Sequence, residues 1–472
     1  MYKSNNVNLI ISIIVNSISI FSALYLFMNH ELIPDGYQNI FLLPIAFCIF
    51  YNVFIRVVMK KYGISLFLII YLLVSFFRFV ILSVLVVESN WFYGRSNYSP
   101  APLFFENAIY IMIYELLIYN IAIYLFHKFF FENIRKKQDD RIEIVKDTNN
   151  INFSKNNIIY TVFVVLTFML VVVKPNSLNY FSFFTVNNNF TKLEELDILT
   201  SIVVMFLNVA RLIIYFIIIG WIIRNIQPKS YLFSFFLVVF VTLINSLIFF
   251  GTNRSDFIFN FVVNLLILIY LYKKLGVTIN IMFLGLLPIV VSGMSQFRET
   301  VTITGGTNKL VDITDNLQVY LGGIYNVAMS LDITSSNGNV LMMFIDIFKS
   351  AIGPNMILKN IELTTSAQLF NYRIYLSDHI AQIIPMIGQG NLYLGPIVAP
   401  LLGVSFIFIA VFLTKQIVRF KRIELVYIFT LFSGRIGFVM AQNGNILIND
   451  LTFFLPLFLL VYYLNNKVVV KN

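Results

Sequence analysis

Twelve apolar runs, each about 16 to 26 residues long, dominate this chain, near 7–28, 38–58, 64–87, 107–131, 158–174, 198–223, 231–250, 257–272, 278–294, 392–413, 424–441 and 446–464. A helix rises about 1.5 Å per residue, so runs of this length cross the roughly 30 Å of hydrocarbon in a bilayer. Lipid offers no water to backbone N–H and C=O groups, and a helix satisfies them within one segment. The runs therefore predict an all-α polytopic integral membrane protein of about 12 transmembrane helices. Of 472 residues, 59% are hydrophobic and only 12% are charged, more apolar surface than a water-soluble fold could bury. The fifth run stops early at Lys174-Pro175. The first has one early lysine and no small-residue cleavage site, so it reads as a retained span.

Charge distribution orients the spans. With the N-terminus cytoplasmic, the inner connections hold 21 of the 33 Lys+Arg and the outer ones nine, which places both termini inside. The formal charge of +10 lies in short clusters between apolar runs, a topology signal rather than a nucleic-acid surface. The chain 1–472 reads as one transmembrane domain with two departures from the hairpin rhythm. Residues 132–157 are polar and of mixed charge, a cytoplasmic linker. Residues 295–391 are too apolar for disorder and too often broken by Gly, Pro and Asn to span. They predict an external cap of short amphipathic helices at the outer interface.

Several chemistries are excluded. The one cysteine, Cys48, permits no intrachain disulfide or Cys-based zinc site, and three histidines do not suggest a metal centre. There is no Gly-rich phosphate loop and no DxD-type motif in the outer connections, so the sequence calls for neither metal nor cofactor.

The remaining signal is arginine. The stretch "FFGTNRSDF", 249–257, needs only a tight turn, yet it carries Arg254 and Asp256 at the outer boundary. There a guanidinium can grip phosphate or carboxylate with two parallel hydrogen bonds; an Arg254–Asp256 pair or contact with lipid headgroups is the alternative. Arg298 and Glu299 open the 295–391 segment, and Arg373 lies near its end, shortly before Asp378 and His379. Arg78, Arg211 and Arg435 fall inside spans, where an ionisable group either lines a polar cavity or pairs with another buried group. Together they outline an external cavity suited to an anion such as a lipid pyrophosphate. Outer-loop aromatics suit sugar rings, although aromatics also populate membrane interfaces generally. His379 beside Asp378 is a candidate general base; Glu299 is the next candidate.

The order of these features resembles the Wzy-type polymerases of O-antigen, capsule and exopolysaccharide repeat units. The resemblance rests on "GTNRSDF" at 251–257, "SQFRET", "YLGGIYNVAMSLD" and "SDHIAQIIPMIGQGNLYLGPIVAPLLG". His379 to Gly390 has the family's His-x10-Gly spacing, whereas its Arg-x15-Gly pattern fails because Arg373 leads to Gln389. The resemblance implies a fold related to type C glycosyltransferases. It also implies transfer of a growing glycan from undecaprenyl pyrophosphate to a lipid-linked repeat unit at the external face of the bacterial cytoplasmic membrane. Partners so implied are the undecaprenyl-pyrophosphate-linked oligosaccharide, membrane lipids, a chain-length regulator and a flippase. An O-antigen ligase-like transferase, or a flippase for lipid-linked oligosaccharide, is the alternative.

The topology is testable by cysteine labelling. An impermeant thiol reagent outside intact cells should modify a cysteine placed at Asn308 or Asn337 and spare one at Gln138; labelling at 138 would overturn the arrangement.

Overall fold

The computed structural model describes residues 4–96, 98–137, 152–154, 157–183, 198–250, 254–296, 303–333, 338–358, 360–374 and 382–467. Helices form where the apolar runs lie. Among the described residues, eight helical stretches are long and apolar enough to cross a membrane: Leu9–Met28, Gln38–Tyr62, Leu66–Glu88, Pro102–Glu132, Leu199–Asn225, Phe259–Phe283, Pro400–Arg419 and Gly444–Lys467. Two shorter apolar helices, Ile158–Val173 and Tyr231–Leu247, accompany them. Serine caps mark some of the starts: Ser65 Oγ accepts from Leu68 N, and Ser230 Oγ accepts from Phe233 N. Apolar side chains remain uncovered by protein, Val172 at 81% and Phe129 at 73% exposure among them, and faces of that kind belong against lipid tails. This is a multi-pass helical membrane protein.

The chain divides into two compact units: Met1–Ile144 with Val301–Lys415 and Phe432–Asp450, and Val145–Thr300 with Gln416–Leu431 and Leu451–Asn472. In the first, the helix Pro102–Lys137 packs against the helical stretch Gln38–Tyr62 and against Ile324–Leu331. In the second, Ile158–Val173 packs between Ile198–Asn225 and Leu455–Lys467.

Within each unit, segments assigned by charge to one side of the membrane meet one another. In the first unit, the Tyr37 hydroxyl donates to Phe92 O at 2.6 Å, joining the first outer connection to the second. In the second unit, Arg422 Nη1 donates to Phe153 O at 2.7 Å and Arg224 Nη1 to Ser154 O at 3.2 Å, joining three inner connections.

Three local departures from the sequence reading have physical causes. The seventh run was expected to stay helical to Phe250, but the helix ends at Leu247. Residues Ile248–Phe250 form strand β2, which pairs antiparallel with β1, Phe181–Phe183. Ile and Phe favour strands, and the partner strand takes up the backbone groups that the helix releases.

The eighth and ninth runs form two helices within Arg254–Gln296, and the chain reverses between them at Lys273 (φ 47°, ψ −113°), where the sequence places the connection. Asn280 Nδ2 then donates to Leu265 O at 2.8 Å, and the rings of Phe261 and Phe283 meet at 6.3 Å. The reversal depends on Gly276, where a Cβ would stand 2.2 Å from Leu268 O.

The 132–157 linker begins later than expected, because the helix from Pro102 continues to Lys137; residues 138–151 lie outside the described ones. A cap of amphipathic interface helices was the expectation for 295–391. Its described part does fold as short helices, from Lys309–Leu321 to Met386–Leu394, but Ile324–Leu331, although amphipathic in sequence, does not lie at an interface. Residues Ile324 to Ser330 are buried on every face, between Pro102–Lys137 and Met386–Leu394.

Gly276→Ala should destabilise the protein by about 1–3 kcal/mol through overpacking against Leu268. Thermal unfolding in detergent checks this, with Gly285→Ala as the control, since a Cβ at 285 meets nothing within 4 Å.

Candidate functional site

Four of the six arginines selected from the sequence have partners in the structure. Arg78 sits on a π-turn, Phe77–Ile81, within the Leu66–Glu88 span. Its Nη1 donates to Glu115 Oε2 at 2.7 Å and its Nε to Gly322 O at 2.9 Å, and both side chains of the ion pair are fully buried. Arg78 therefore ties two spans to the start of the Ile324–Leu331 helix. Arg435 pairs with Asp450 at 2.7 Å. Arg373 pairs with Asp332 and lies 3.6 Å from the centroid of the Tyr98 ring, a cation–π contact. Arg211 donates to the carbonyls of Asn245 and Ile248, at the end of the Tyr231–Leu247 helix, where carbonyls lack helical partners and a cation is favoured. Beside it is a largely apolar cavity of about 310 Å³ lined by Phe168, Phe181, Tyr215 and Ile248 among others.

The side chains of the other named residues lie outside the description. Arg254 opens the Arg254–Gln296 helix, but its side chain, like that of Asp256, is outside the description. Arg298, Glu299, Asp378 and His379 lie outside the described residues altogether. Arg78, Arg373 and Arg435, proposed as anion ligands, each already face a carboxylate.

Sequence reasoning missed three features that shape this region. The first is a strap, the connection after Glu88. Trp91 Nε1 donates to Asp315 Oδ1 at 3.0 Å and Arg95 pairs with the other carboxylate oxygen. Burial pushes the Asp315 carboxyl above the usual range, while Arg95 and Trp91 pull it back. The Tyr325 phenol, against which Gly94 packs, is pushed up to about 12 by burial.

The second is a carboxylate, Asp346, with no exposed surface. Asp346 Oδ2 accepts from Ser366 Oγ at 2.6 Å, Tyr393 OH at 2.8 Å, Ser366 N at 3.1 Å and Gln389 Nε2 at 3.3 Å. Oδ1 accepts from Asn445 Nδ2 at 3.2 Å. Gln389 also donates to Asn445 Oδ1 at 2.6 Å and accepts from Gly444 N at 2.7 Å, so the residue that departs from the family pattern is fully used here. An aspartate inside the apolar stretch "VLMMFIDIFK" was the available signal.

The third is a cavity of about 660 Å³ in the first unit, lined by Phe104, Asn107, Tyr110, Ile111, Tyr114, Leu331, Asn391, Pro396 and Ile397. Five of these lie on the first turns of the Pro102–Lys137 helix, and Asn391 comes from Met386–Leu394. That last helix approaches closely because of its glycines: a Cβ at Gly390 would stand 2.2 Å from Ala399 O, and one at Gly388 would stand 2.1 Å from Ser330 Oγ. Tyr114 OH donates to Ile397 O at 2.8 Å, and Tyr110 OH accepts from Asn39 Nδ2 at 2.9 Å. The volume is within the about 300–1,000 Å³ of small-molecule sites, and aromatic rings with a few amides are a usual lining for them. No protein-family model, curated protein or solved structure matches this chain.

Removing one partner of the Arg78–Glu115 pair leaves a buried charge uncompensated, so Arg78→Ala should cost about 3–5 kcal/mol. The double variant Arg78→Met/Glu115→Leu should recover most of that loss in detergent unfolding. Failure of the double variant to recover would mean that the pair does more than hold the spans together.

Proposed function

We propose that this protein is a polymerase of undecaprenyl-pyrophosphate-linked oligosaccharide repeat units, working at the external face of a bacterial cytoplasmic membrane. The observation that carries the reading is the cavity with three aromatic rings and two asparagine amides at the head of the Pro102–Lys137 helix. Aromatic rings present apolar platforms to sugar rings and amides bond to their hydroxyls. By the charge pattern, that end of the span and the 295–391 segment face outward, with twelve crossings and both termini inside.

In this reaction the acceptor hydroxyl attacks the anomeric carbon of the donor glycan. The bond from that carbon to pyrophosphate breaks, undecaprenyl pyrophosphate leaves, and the hydroxyl proton passes to a base. His379 is assigned as that base, oriented by Asp378, with Glu299 as the substitute candidate. Arg254 and Arg298 hold the leaving pyrophosphate, because a guanidinium neutralises developing charge without a metal. Arg373 joins them only by exchanging Asp332 for phosphate.

Deleting the protein should leave surface glycan as single capped repeats on a gel; complete absence of surface glycan would indicate a flippase instead. Arg254→Lys, which loses the planar fork, should impair polymer formation nearly as much as Arg254→Ala. His379→Ala should lower turnover on purified lipid-linked repeats by about 10²–10⁴-fold, and turnover within about threefold of wild type would place the base elsewhere.

A further inference from the structure

We infer that the 660 Å³ cavity selects an uncharged stretch of glycan, sugars bearing acetamido or deoxy groups rather than uronic acids or phosphorylated sugars. The inference rests on the reading above that the cavity holds glycan, and adds which class of glycan enters. Its warrant is the charge around the cavity. No acidic or basic side chain belongs to the lining. The charges that flank it are one carboxylate and one ion pair that is already formed. Glu106 precedes Asn107, and its Oε1 accepts from Tyr110 OH at 3.4 Å. Asp332 follows Leu331 and is engaged by Arg373.

An anionic sugar placed here would find no cation in the lining, only the Arg373 guanidinium already paired with Asp332, and a charge left without a partner is among the strongest means of rejecting a ligand. A neutral sugar meets complementary chemistry. The amides of Asn107 and Asn391 have no side-chain hydrogen-bond partner among the described residues, so their donors and acceptors are available to hydroxyl and acetamido groups. Ile111, Leu331 and Ile397 supply apolar surface for methyl groups. A cavity of this volume takes a short oligosaccharide rather than a single ring.

The test uses the full chain in lipid nanodiscs and titration calorimetry with two probes, tri-N-acetylchitotriose and trigalacturonic acid. The neutral probe should bind about tenfold or more tightly than the acidic one. Asn391→Ala and Asn107→Ala should each weaken the neutral probe several-fold, and Asn107→Lys should admit the acidic probe. Acidic binding equal to or tighter than neutral would overturn the charge selectivity while leaving the glycan reading in place. Failure of both sugars to bind, with fluorescent undecaprenyl phosphate bound and displaced by Tyr114→Ala, would make the cavity a lipid slot and overturn both.

Discussion

Asp346 is a carboxylate that meets no cation among the described residues, and the geometry of the cavity region depends on how it is satisfied. A buried ion of this kind is tolerable only when its lone pairs are filled, and here hydroxyls, a backbone amide and side-chain amides fill them. Those donors come from Ser366–Ile374, Met386–Leu394 and Gly444–Phe453, while Asp346 itself belongs to Val340–Lys349. Four helices with little apolar length between them are thus joined at one point. Met386–Leu394 is fixed in place by this junction through Gln389 and Tyr393, and it delivers Asn391 to the cavity wall. Losing the carboxylate would leave several buried donors unmatched at once, a larger effect than losing any single contact.

The same arithmetic of buried charge reorganises the arginines. From sequence they look like a group waiting for an anion. In the structure Arg78, Arg373 and Arg435 are answered by Glu115, Asp332 and Asp450, and Arg211 by helix-end carbonyls. A fully buried pair such as Arg78–Glu115 contributes little net stability beyond its desolvation cost, but it fixes register, because neither partner can move without stranding the other. It locks the turn at Gly322 to two spans. In the proposed reaction the anion-holding role therefore falls first to Arg254 and Arg298, with Arg373 joining only by giving up Asp332.

What the sequence made legible follows from local rules. The apolar runs located the helices, and the charge bias sorted the connections into groups that meet within each unit. The reversal at Lys273 was readable as a break between two runs. The pairings were not, because they join residues far apart in sequence: Glu115 lies 37 positions from Arg78, and Asp332 lies 41 from Arg373. No local pattern says which carboxylate an arginine will meet. The burial of Ile324–Leu331 was also hidden, since "IYNVAMSL" looks like a surface helix until both neighbours close over it. Gln389 shows the reverse case. It looked like a defect in a pattern, and it is a member of the Asp346 junction.

These constraints imply a division of labour. Groups that bind neutral sugar gain from rigidity, because weak contacts to hydroxyls and ring faces count only when the lining is already positioned. The cavity has that support, from the Pro102–Lys137 helix on one side and the Asp346 junction on the other. Groups that handle a pyrophosphate leaving group face another requirement: they must hold charge that is present only until the lipid departs. Arg373, stacked on Tyr98 and paired with Asp332, has such an exchangeable arrangement, whereas Arg78 does not. The exposure of the two pairs reflects this difference. Arg78 and Glu115 have no solvent-accessible side-chain surface, while Arg373 retains 30%, enough for an incoming phosphate to compete with its carboxylate. In the proposed reaction, recognition of the glycan would thus rest on a fixed wall, and release of its carrier on guanidinium groups free to exchange partners.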